Sequence, residues 1–151
     1  MKVIEYFSSD RKNHWLNQIQ KSDWNAGQYL YELLKLEHFK SVLGETAKVL
    51  LLVNDDELIS FCTYTKIDDI QPTDLTPWMG FVYTFPKHRG HRYVGRLFLE
   101  VEWLAKANAV HDVYISTDTT GLYEKYGCTF YQMMNDINGE PSRVYRKHIE
   151  F

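Results

Sequence analysis

The stretch PKHRGHRYVGRLF, residues 86–98, sets Lys87, Arg89, Arg92 and Arg96 within ten positions, broken by Gly90 and Gly95. The whole chain carries a formal net charge of -3, so this positive charge is local. A strand that turns through glycines into a helix leaves backbone N–H groups without intrahelical acceptors, and the helix macrodipole adds to their pull on an anion. Arginines can grip phosphate bidentately, and glycine lets the backbone approach without a Cβ in the way. The chemistry expected here is the holding of a phosphorylated ligand. No Lys-Ser/Thr pair follows the glycines and the three-glycine dinucleotide spacing is missing, which disfavours nucleoside triphosphates and NAD. His88 and His91 have metal-compatible spacing but no third ligand nearby, so no metal is expected.

Other residues that could do chemistry are scattered. Asp118 is either a base for an ammonium acceptor or a helix cap. Asp68, Asp69 and Asp74 form an acidic loop that either draws a cation or is simply solvated. Trp78 and Tyr83 line a pocket or fill the core. Cys62 and Cys128 lie in apolar runs with no histidine motif beside them, which argues against a thiol nucleophile and for reduced thiols.

The elements that must position these residues follow from periodicity. KVIEYF reads as a strand, with Ser and Asp in SSDRKNHW as caps for the helix after it. Apolar residues from Trp15 to Leu43 recur at helical spacing, interrupted near Asp23 to Gly27, which predicts two helices, the second ended by Gly44. KVLLLV and LISFCTYTKI predict a hairpin over Asn54–Glu57, and WMGFVYTF a central strand that is apolar on both faces. The basic loop then crosses into an amphipathic helix over Tyr93–Ala109. DVYIST predicts a strand, GLYEKYG a short helix closed by Gly127, and CTFYQMM and SRVYRKHI two strands around an Asn-Gly turn at 138 and 139.

A chain of 151 residues with 44% hydrophobic and 15% aromatic content fits a single domain, 1–151, with an α/β core. Its pI near 6.1 argues against a nucleic-acid partner. The opening MKVIEYFSSD is no secretory signal, and no run of about 18 apolar residues offers a membrane span. A soluble, cytoplasmic protein is expected.

Two blocks carry a resemblance. P-K-H-R-G-H-R-Y-V-G is similar to the strand–loop–helix signature of the GNAT superfamily of N-acetyltransferases, with Arg89 and Gly90 on its Arg-Gly pair and Gly95 one place beyond the later small residue. STDTTGLYEKYGCTFY resembles the late motif of the same superfamily, in which a polar segment precedes L-Y-E-K-x-G-F. Ser116 stands where many members have Asn, and Cys128 where Phe is usual. The resemblance implies a mixed, mostly antiparallel central sheet flanked by helices (α+β), with acetyl-CoA as cosubstrate. It also implies that backbone groups of Val82, Tyr83 and Thr84, with Ser116, meet the pantetheine arm. The pyrophosphate would meet Arg89, Gly90, His91, Arg92, Tyr93, Val94, Gly95 and Arg96. Tyr123 would protonate the departing thiolate, with Tyr126 in a structural role. The implied reaction is direct acetyl transfer to a primary amine of a small molecule or peptide in a ternary complex; the rival is a non-catalytic CoA-binding domain. A homodimer is left open.

Overall fold

A computed structural model describes residues 1–151. β2 (Lys48–Asn54) and β3 (Glu57–Thr65) form a hairpin closed by Asp55 and Asp56, with Asp55 in the left-handed region that such two-residue turns require. Side chains alternate along a strand, so the uninterrupted apolar run of β2 needs cover on both faces. Leu50 and Leu52 pack to one face, and Val49, Leu51 and Val53 to the other. Each of these leucines is essentially fully buried, worth about 1.5–3 kcal/mol apiece, enough for one short strand to hold two layers to the sheet.

Around the hairpin lie β1 (Lys2–Glu5), β4 (Trp78–Thr84), β5 (Asp112–Thr117), β6 (Cys128–Asn135) and β7 (Pro141–His148), in the order β1-β2-β3-β4-β5-β7-β6. Every pairing is antiparallel except β4 with β5. That parallel pair consists of one bridge, Trp78 to Tyr114, beyond which the strands part. Helices α1 (Lys12–Ile19), α2 (Asn25–Lys35) and α3 (Phe39–Leu43) cover one face, and α4 (Val94–Ala107) the other. No helix is long and apolar enough to cross a membrane.

Strand β4 carries the feature that shapes the site. Between Gly80 and Tyr83 it has one more residue than β3 has between Thr63 and Phe61, a β-bulge in which Phe81 adopts φ 49. The extra residue puts Met79 and Val82 both on the α4 face, and Phe81 and Tyr83 both on the opposite one.

Several expectations change in detail. The first strand stops at Glu5, because Tyr6–Ser8 forms a 3-10 turn with the Glu5 carboxylate accepting from Ser8 N–H. No serine or aspartate caps α1; Arg11 stands at its N-cap without a side-chain bond. The expected second helix is two, since Glu37 at φ 59 breaks it, and Gly44 ends the short α3 instead. The helix after the basic loop is Val94–Ala107, and GLYEKYG holds a 3-10 turn, Tyr123–Tyr126, closed by Gly127 at φ 83.

Candidate active site

Where β4 and β5 part, a cleft of about 1040 Å³ opens between the basic loop, the α1–α2 connection, the β3–β4 loop, the end of β5 and the β6–β7 turn. At one end lies the loop into α4. The N–H groups of Gly95 and Arg96 close the first turn onto the carbonyls of Arg92 (3.0 Å) and Tyr93 (2.9 Å). Those of Gly90, His91, Arg92, Tyr93 and Val94 find no acceptor in the protein. Gly90 and Arg92 both have positive φ (88 and 58), the left-handed conformation that occurs in backbone nests for anions. No carboxylate occupies the first turn of α4 and no side chain caps it. Gly95 allows the helix to lie close to Tyr126, whose ring would stand 3.4 Å from a Cβ there.

The cations of this loop have different tasks. Arg89 donates from Nε to the Thr84 carbonyl (2.9 Å), places its guanidinium 5.5 Å from the Tyr83 ring centre and faces Asp23 at 3.8 Å. Arg96 reaches away to the Met1 carbonyl (3.1 Å). Lys87 pairs with Glu57, as does His88 at 3.2 Å, while His91 stacks on Tyr93. Arg92 lines the cleft with no ion-pair partner. The two histidines thus have separate partners.

The strand residues expected against the pantetheine arm all line the gap. Ser60 Oγ donates to the Tyr83 carbonyl (2.6 Å) and Arg89 to that of Thr84, which leaves the bulge at Phe81 and Val82 as the freer backbone. Tyr83 is tied by its hydroxyl to Asp23 and stacked on Trp24. Trp78 does not reach the cleft; it packs with Ile70, Tyr114 and Val144.

Tyr123 lies at the cleft floor, 6% exposed, against Phe98 and Tyr145. Burial pushes its phenol well up, so it keeps its proton across the physiological range. Burial also raises Cys62, and Cys128 to about 11. Both thiols are therefore held protonated and un-nucleophilic. Tyr126 stacks on Phe98 and its carbonyl accepts from Lys147 Nζ (2.6 Å).

The far end is acidic. Asp68, Asp69, Asp118 and Asp136 line it, with Trp24, Tyr29 and Phe81 as an aromatic wall. Asp68 Oδ1 accepts from Asp69 N–H (2.7 Å), while Asp68 Oδ2 and Asp69 Oδ1 are buried without partners. Burial, reinforced by Asp69, pushes Asp68 up to about 7, and burial raises Asp69 as well. Ser116 shares a hydrogen bond with Ser142 (2.8 Å) on the same wall. Asp118 is exposed and caps nothing. The acidic loop is thus no simple solvated face: two of its aspartates enter the cleft, and only Asp74 stays outside. The one signal for this in the sequence is that Asp68 and Asp69 run straight into Ile70, which is buried and anchors the loop against Trp78.

Residues 12–128 match the Acetyltransferase (GNAT) family. Among solved structures, the chain is similar to an aminoglycoside 6'-acetyltransferase type Ii, with TM-score 0.71 and 17% identity over 100% of this chain and 99% of that one. It is also similar to an aminoglycoside 6'-N-acetyltransferase complexed with coenzyme A (0.68, 14%, 100% and 98%). A third is a GNAT-family acetyltransferase from Staphylococcus aureus (0.63, 13%, 99% and 99%). No curated protein matches the sequence.

Proposed function

Because the chain belongs to the acetyltransferase (GNAT) family, we propose that it moves an acetyl group from acetyl-CoA to a primary amine that arrives as a cation, by direct transfer with both substrates bound. One observation carries this reading: a single cleft has unpartnered N–H donors at one end and unpartnered carboxylate oxygens at the other. An anionic cosubstrate and a cationic acceptor complete the two ends, and their reactive groups meet between them.

Acetyl-CoA, when bound, supplies the activated thioester. The Gly90–Val94 amides and Arg92 hold its pyrophosphate, and the bulge at Phe81 and Val82 guides the pantetheine arm past Ser116. Tyr123 gives its proton to the sulfur as the C–S bond breaks. No acyl-enzyme is needed, and protonated, buried thiols are poor candidates to form one.

The test is acetyl-CoA consumption over a panel of aminoglycosides, polyamines, amino acids and peptide N-termini, with CoA binding followed by thermal shift. Tyr123→Phe keeps the ring packing, so CoA binding should stay near wild type while turnover falls roughly a hundredfold. Tyr126→Phe should retain turnover. The reverse pattern reassigns the acid to Tyr126. CoA binding with no amine acetylated would leave a CoA-binding domain instead.

A further inference from the structure

Transfer to an ammonium requires a base, and none of the residues assigned above supplies one. We propose that Asp68 is that base: its Oδ2, buried without a partner beside Gly80 in the acidic end of the cleft, takes the proton of the acceptor's ammonium while Asp69 Oδ1 accepts from a second N–H. The proposal rests on the transfer reading above.

The geometry is specific. Asp68 Oδ1 is fixed by the Asp69 amide, which leaves Oδ2 as the free acceptor. Oδ2 sits where residue 80 has no side chain; a Cβ there would collide with it and stand 3.2 Å from the Thr63 hydroxyl, itself buried and unpartnered. Buried acceptors without donors cost free energy, and two carboxylate oxygens kept in that state on the wall of a cleft are placed to accept from a bound donor. An alkylammonium brings three N–H donors and the opposite charge. The charged groups around the pair are Asp118 from the loop after β5 and Asp136 from the β6–β7 turn, with the Ser116 hydroxyl beside Asp69. The arginines of the cleft belong to its other end. Asp118, exposed and unbonded, is a solvated member of this wall, not its proton acceptor.

The nitrogen loses H⁺ to Asp68 Oδ2, and its freed lone pair forms the N–C bond to the thioester carbonyl. The C–S bond breaks with its electron pair on sulfur, which takes a proton from Tyr123. The nitrogen, cationic once the N–C bond has formed, releases its second proton to solvent as the carbonyl re-forms; amide and thiol leave, solvent takes the proton from Asp68 and restores the one lost by Tyr123, and one H⁺ is released overall. A carboxyl near pKa 7 can both take and release a proton at neutral pH.

The test is Asp68→Asn beside Asp74→Asn. Asp68→Asn should lower kcat/KM roughly a hundredfold and remove an acid limb near pH 7, with the CoA thermal shift unchanged. Asp74→Asn, an exposed aspartate of the same loop outside the cleft, should keep both rate and limb. Asp68 holds its proton more tightly folded than unfolded, so folding takes up a proton between about 3.8 and about 7, and stability falls as pH rises through that window. Asp68→Asn should therefore raise Tm above pH 7 and give no gain below the window, a gain of stability with loss of function that a structural aspartate would not show. Retention of rate and acid limb in Asp68→Asn overturns the proposal. If the wild type binds CoA but acetylates nothing, the transfer reading falls, and calorimetric titration with spermidine decides the ammonium site alone. A tenfold or greater loss of affinity in Asp68→Asn supports that site, and an unchanged affinity overturns it.

Discussion

At one end of the cleft five backbone amides lack acceptors; at the other, two carboxylate oxygens lack donors. The first end is a property of φ and ψ. Gly90, Arg92 and the start of α4 present N–H groups whatever the neighbouring side chains are. The second is a property of side-chain identity, since replacing Asp68 or Asp69 removes it outright. The two ends therefore answer differently to substitution. The donor end survives most changes that preserve the turn, whereas the acceptor end can be rebuilt for another amine by a few replacements on loops.

The sharpest way to break this contrast is Gly80→Ala. The new Cβ collides with Asp68 Oδ2, and the neighbour must leave its pocket. Acetyl transfer should fall by about a hundredfold or more, while the CoA thermal shift stays intact; a normal rate would show that the carboxylate is not needed where it stands. Next is the double variant Arg89→Ala with Arg92→Ala. Charge-assisted hydrogen bonds are worth about 1.5–3 kcal/mol, so losing the one free arginine and the anchor of Thr84 should weaken CoA binding roughly ten- to a hundredfold without weakening spermidine binding. Unchanged CoA affinity would remove the phosphate assignment. The smallest effect isolates the backbone. Arg92→Gly and Arg92→Ala lose the same guanidinium, but only glycine takes φ 58 freely. Denaturant unfolding should find the glycine variant more stable by about 1 kcal/mol. Equal stabilities would mean that the loop relaxes out of the left-handed turn.

The sequence showed the donor end because glycines and arginines between a strand and an amphipathic helix carry a local meaning. The hairpin, the central strand and α4 were legible for the same reason, as was Tyr123 through LYEKYG. The acceptor end depends on contacts between distant segments. Nothing local says that Asp68 meets Gly80 across a bulge, or that Asp118 and Asp136 converge from the loops after β5 and β6. The bulge was hidden as well, since WMGFVYT reads as a regular strand and the extra residue exists only relative to β3. Arg96 carried the right charge in the right loop, yet its partner is the Met1 carbonyl, a contact 95 residues away in sequence.

The single bridge between β4 and β5 has a mechanical side. Counted by hydrogen bonds the sheet is two plates, β1 to β4 and β5 with β7 and β6, hung on Trp78 and Tyr114. On one face α4 spans the seam, its apolar side packing on Leu50, Leu52 and Ile59 of one plate and on Val113, Ile115 and Tyr145 of the other, while Trp78 packs across it on Tyr114 and Val144. The helix is a cross-beam, and the basic loop is the fitting at its end. The loop with the unpartnered amides is thus fixed to the one helix that packs on both plates, and the seam and the loop share a single beam.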